Sequence, residues 1–313
     1  MESWRPMSSS LPRRAAVPRE LLVPATPSGL LRLAAVEWTG MALGWAVMAW
    51  APPVLVPLAV LVVAGRLHAL GVLLHDAVHL PSRRREWRLC LLETVAGYPI
   101  ASTLAAMRYH HLRHHRDAGL PSDPYRKPPD GGRLRTAWRW LLLLTVIPGW
   151  VLRGPVGLCA WMLPSLRTAY GRVFLQDRSG RVLTRDAEVA ACARAEAGQV
   201  LFHLGVLALA VRWPSAVLWG YALPLLVASG FNAHRLLAEH TAAPVQGRKM
   251  EDVFACTRDH GLGWWGRLGL APRHVGMHVV HHLHPQVSFT HLPRLRAWYV
   301  ERFPHHYPRP RSY

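Results

Sequence analysis

The stretches LLRLAAVEWTGMALGWAVMAW at residues 30–50, APP at 51–53 and VLVPLAVLVVAGRLHALGVLL at 54–74 decide the fold. Only Arg32, Glu37 and Thr39 interrupt the first run. At about 1.5 Å of rise per residue, each run makes a helix roughly 30 Å long, the thickness of a bilayer core. The connection at Pro52-Pro53 leaves room for a tight hairpin and nothing else. A second hairpin follows, with an apolar arm at 198–212, a turn around Trp213-Pro214-Ser215 and a return arm at 216–237. Its first arm is short, so spanning requires tilt or use of the polar flanks. The segments 89–104 and 138–163 are apolar too, but Glu93, Pro99, Pro148, Gly149 and Arg153 break them. They read as helices that lie in the interface or re-enter it.

Composition agrees. Of 313 residues 51% are hydrophobic and 18% charged, against about 25% charged in soluble domains. The 14 tryptophans and the apolar content exclude a disordered chain. Lys and Arg number 37 against 18 acidic residues, a net charge of +19. Such a charge suits anionic lipid or an acidic protein partner. Nucleic acid is not expected, because no zinc-finger spacing, aromatic RNA-binding box or basic heptad helix occurs. Cys90, Cys159, Cys192 and Cys256 lie far apart, so neither a disulfide framework nor a thiolate metal site is expected. Arg13, Arg14 and Arg19 precede the first hairpin, and Arg83, Arg84, Arg85 and Arg88 follow it. Arg178, Arg181, Arg185 and Arg194 precede the second, while the hairpin tips carry almost no charge. This asymmetry puts both termini and the long middle loop in the cytoplasm. The expected fold is all-α and integral to the membrane, with four transmembrane helices in two hairpins and a helical cytoplasmic cap. Residues 1–29 would form a basic leading segment, 30–295 the membrane domain and 296–313 a basic tail.

Nineteen histidines are present, and their spacing is informative. His75 and His79 make an HxxxH box, His111, His114 and His115 an HxxHH box, and His278, His281 and His282 a second HxxHH box. Residues three and four apart share a helix face, so each box aims its imidazoles at one spot. A structural zinc takes four ligands. The boxes offer eight, which fits two metals better than one. Imidazole suits zinc, copper, iron and nickel, so the residues alone leave the metal open. The boxes sit at the cytoplasmic edge rather than the bilayer midplane, which argues against a metal transporter or a receptor.

HDAVH at 75–79, HHLRHH at 110–115 followed by Arg116-Asp117 and SDPY at 122–125, RLLAEH at 235–240, HVVHHLHP at 278–285 and THLP at 290–293 resemble the integral-membrane fatty acid desaturase family. The likeness runs from about Arg66 to Leu295. It implies a non-haem di-iron enzyme with two iron ions as cofactor and O₂ as co-substrate. The reaction implied is a double bond placed in a fatty acyl chain carried as lipid or acyl thioester. The ligand set implied is His75, His79, His111, His114, His115, His240, His278, His281 and His282. Asp76 and Glu239 are the carboxylates expected to orient imidazoles. The AEH element selects His240 over His234, six residues earlier and on another face if both are helical. No haem-binding HPGG motif occurs, so electrons are expected from a separate, acidic, ferredoxin-like donor. The expected location is a bacterial inner membrane, in contact with its lipids. Hydroxylases and carotenoid ketolases share this scaffold, and the AEH element favours the desaturase branch.

Overall fold

Helices form where the apolar runs lie, but they outlast them. The computed structural model describes residues 11, 15–81, 86–126, 132–243 and 245–310. Arg13, Arg14 and Arg83 to Arg85 of the basic loops fall outside this set. The helices are α1 (Pro27–Trp50), α2 (Val56–Val78), α3 (Trp87–Leu92), α4 (Leu104–Asp117), α5 (Gly132–Leu144), α6 (Val146–Met162) and α7 (Arg167–Phe174). They continue with α8 (Ala187–Arg212), α9 (Pro214–Val217), α10 (Leu223–Glu239), α11 (Met250–Cys256), α12 (Trp264–Leu268), α13 (His278–Leu283) and α14 (Leu292–Arg302). No strand occurs among the described residues, and the all-α expectation holds.

Thr26 starts α1 by accepting a hydrogen bond from the Gly29 amide at 3.1 Å, with Pro27 in the first turn. Asp186 caps α8 in the same way, through the Val189 amide at 2.9 Å. Hydropathy alone places the start of this arm near residue 198. The helix in fact begins eleven residues earlier, at Ala187, because the alanine-rich segment favours helix whatever its hydropathy. At 26 residues α8 is about 39 Å long and needs no tilt to reach across a bilayer.

Among the described residues, three helical stretches are long and apolar enough to cross a membrane: Pro53–Val78, Ala187–Arg212 and Pro214–Glu239. The number rises to five if two bent pairs count as single spans. One pair, Trp87–Ile100 with Leu104–Asp117, bends by 81°, and the other, Ala137–Leu144 with Val146–Met162, by 44°. α1 has the length, at 24 residues, but its polar residues keep it out of that apolar set. The expected count of four lies within this range of three to five candidates.

α2 packs against α1 and α10, and α6 packs on α8. Arg153, which broke the apolar run in the sequence, is fully buried on α6 and pairs with the equally buried Glu196 of α8 at 2.7 Å. Tyr170 donates to the same carboxylate at 2.9 Å. A π-helical turn at Leu218–Ala222 precedes α10. Its Gly220 carbonyl accepts from the Trp45 indole at 2.8 Å, tying α1 to the second hairpin.

Candidate metal centre

Four segments carry the histidine boxes to one place. His75 lies in the last turn of α2, and His79 caps that helix. Thr103 starts α4 by accepting from the Ala106 amide at 3.2 Å. The helical spacing then puts His111, His114 and His115 on one buried face. α13 is six residues long and buries His278, His281 and His282. His240 arrives differently. α10 stops at Glu239, and His240 is extended, with φ −120° and ψ 152°. It bridges Thr257, and the Arg258 amide donates to the Glu239 carbonyl at 2.8 Å. His240 and His234 thus diverge because the chain leaves the helix, not because of helical phase. His234 packs instead beside Trp140 and His260, with ring centroids 6.0 and 6.1 Å away.

The imidazoles gather into two groups, His75/His79/His111/His281 and His114/His240/His278/His282. Within each, the candidate ligand atoms all lie within 4.8 Å of one another. The Nε2 atoms of His79 and His111 are 3.2 Å apart, and those of His240 and His278 are 2.9 Å apart. Two imidazole nitrogens bound to one ion at about 2.1 Å stand roughly 3.0–3.4 Å apart for angles between about 90° and 110°, so both spacings are close to those of a shared ion. His115 lies between the groups. Its Nε2 is 3.0 Å from His281 Nε2, and its ring stacks on His282 at 4.3 Å. His114 Nε2 and both nitrogens of His282 are buried and have no hydrogen-bond partner among the described residues. Buried polar atoms left open in this way fit a ligand role. Burial, then the neighbouring His114, lowers His240 to about 3. Burial, then Arg108, lowers His79 to about 4. At neutral pH these rings are uncharged, the form that binds metal.

The carboxylates divide between the groups. Asp123 contacts His114 Nδ1 at 2.7 Å and also accepts from the Gly119 and Tyr125 amides at 2.9 and 2.8 Å. Burial alone would raise Asp123, but the His114 ring and the Gly119 amide outweigh it and hold the carboxyl below its ordinary value. An Nδ1–H held there leaves the Nε2 lone pair of His114 free for an ion. Glu239 lies 3.3 Å from His260 Nε2 and 3.6 Å from His278 Nδ1. Asp76 works at one remove. It accepts from the Ser288 hydroxyl at 2.9 Å and the Phe289 amide at 3.3 Å. The Phe289 ring in turn packs on His75 and His281, at 5.2 and 4.9 Å between centroids.

His75 also lines a cavity of about 340 Å³, within the range of small-molecule sites. Its walls are mainly apolar, with Leu67, Ile100, Met107, Leu143, Ile147 and Trp150 among them. Gln176 and the exposed Arg126 and Arg178 also line it. The family profile for fatty acid desaturases matches residues 48–313. The chain belongs to the fatty acid desaturase family. Among curated proteins none matches it.

Membership makes this chain an oxidoreductase acting on fatty acyl substrates. The structure gathers the nine histidines that the resemblance implied, eight in the two groups and His115 between them. It adds Asp123, which the sequence marks only as part of the SDPY stretch. The available signal was an acidic residue in a turn-forming Ser-Asp-Pro string nine residues after His114.

Proposed function

We propose that this protein is a membrane-embedded, O₂-dependent di-iron desaturase that places a double bond in a fatty acyl chain. One observation carries the reading: His75 is both a member of a four-histidine group and part of the wall of the apolar cavity. His75, His79, His111 and His281 would hold one iron, and His114, His240, His278 and His282 the other, with His115 between them. Bound iron would supply O₂ activation and the removal of hydrogen from the chain. The protein's own part is positioning. Leu67, Ile100, Met107 and Ile147 would hold the alkyl chain beside His75 and exclude water, while Arg126 and Arg178 would meet the anionic end of an acyl lipid or thioester. Asp123 and Glu239 would orient His114 and His278. In this reading α1 crosses the membrane with α2, making four spans, and the histidine cap and both termini face the cytoplasm. A separate acidic, ferredoxin-like donor would dock on that basic face.

The test is lipid profiling of an expressing host by mass spectrometry with double-bond localisation. New unsaturated acyl chains are expected with the unaltered protein. Gly71 also lines the cavity, and a Cβ there would stand 3.3 Å from Ile100 Cδ1. Gly71→Leu should therefore crowd the chain and abolish product while the purified protein keeps its metal. Undiminished product from Gly71→Leu would remove the cavity from the account.

A further inference from the structure

On the side of α2 that faces α12, a second cavity, of about 350 Å³, is lined by Arg66, Arg267, Pro272, Arg273, His274 and Thr290. Its charge is unbalanced. Glu37, fully buried on α1, accepts from Arg66 at 2.9 Å and from Arg273 at 2.5 Å. Arg267 is exposed and contributes a third cation. Three guanidiniums over one carboxylate leave a net charge of about +2 in the pocket wall. His274 Nδ1 is buried and has no hydrogen-bond partner among the described residues. Arg273 and His274 are both left-handed, with φ of 55° and 66°. Backbone strain of this kind persists where the surroundings impose it.

The surroundings point to a membrane surface. α12 lies hard against α2: the Leu268 carbonyl accepts from Arg66 at 2.8 Å, and a Cβ on Gly65 would stand 2.5 Å from that oxygen. Trp264 and Trp265 stack with ring centroids 3.6 Å apart, and both are exposed, as is Leu268. An exposed tryptophan pair beside arginines has the composition of a headgroup-level belt. An arginine fork at that level matches the oxygens of a phosphate.

We propose that Arg66, Arg267, Arg273 and His274 form a binding site for the phosphate of an anionic membrane lipid whose acyl chains lie along α12. Four observations support it: the excess of guanidinium over carboxylate, the open nitrogen of His274, the size of the cavity and the exposed apolar residues at its edge. The site is separate from the histidine groups, and its test does not depend on metal or turnover.

The full-length protein in detergent would be examined by native mass spectrometry with added phosphatidic acid, with phosphatidylcholine and with inorganic phosphate. Phosphatidic acid should be retained in preference to phosphatidylcholine. Arg267→Glu should weaken that retention about tenfold or more, as loss of a charge-assisted phosphate contact together with charge reversal requires. Arg267 is exposed, so the fold should survive. An equal thermal midpoint in phosphatidylcholine would show this, and Arg267→Gln would repeat the loss in milder form. Arg185→Glu, away from the pocket, should bind like the unaltered chain. Equal retention by Arg267→Glu and the unaltered chain, or no preference over phosphatidylcholine, would overturn the proposal. Displacement of the lipid by millimolar inorganic phosphate would overturn the lipid as the source.

Discussion

Asp123 grips His114 and Glu239 stands beside His278 in one histidine group, whereas in the other His75 is flanked by the Phe289 ring and lines an apolar cavity. The same ligand type is thus held in two ways. Carboxylates fix ring orientation and raise imidazole basicity, but they bring charge. Aromatic packing fixes orientation without charge. The group at the cavity therefore has less carboxylate charge around its rings, and the group behind it is the more polar.

The largest effect should come from removing a ligand in the polar group. His240→Ala is expected to lose activity and about half of the iron, because the cavity-side group would remain complete, whereas His234→Ala should keep most of both. Metal analysis of the two purified variants decides it. Full iron in His240→Ala would take that residue out of the ligand set.

The next effect separates the two modes of support. Asp123→Asn should weaken one of the two metals by roughly 10–100-fold, the usual consequence of losing a carboxylate behind a ligand histidine. Asp76→Asn should have the smaller effect, because Asp76 reaches His75 only through Ser288 and Phe289. Chelator competition on both variants measures it, and a larger loss in Asp76→Asn would reverse the comparison.

The groups should behave alike toward acid. His240 is held at about 3 and His79 at about 4, against an ordinary value of 6.5. Below 6.5 the unfolded chain takes up protons that the folded chain refuses, so the metal-free protein should lose stability as pH falls from 6.5 toward 4. Above 6.5 these groups should add no slope. Thermal midpoints of the metal-free protein across this range check the sign, and a midpoint that rises on acidification would contradict buried neutral imidazoles.

Much of this was legible in the residues. The i, i+3 and i, i+4 spacing of the boxes already put His111, His114 and His115 on one face, because helical geometry is local. His240 was legible only through resemblance: its position depends on an extended residue paired with Thr257, a contact seventeen residues away. Asp123 was missed because its bond to His114 depends on how the intervening turn closes. The start of α8 was misplaced because hydropathy marks where apolar surface begins, whereas alanine propensity and the Asp186 cap mark where the helix begins. Arg153 looked like a break because the sequence could not show Glu196 facing it from α8.

Two adjacent four-histidine groups would together form a di-iron centre. Metal quantification of the purified, active full-length protein tests it most directly. About two iron ions per chain are expected, one for each group, with activity falling as they are removed. Full activity with a single ion per chain, or with zinc in place of iron, would contradict it.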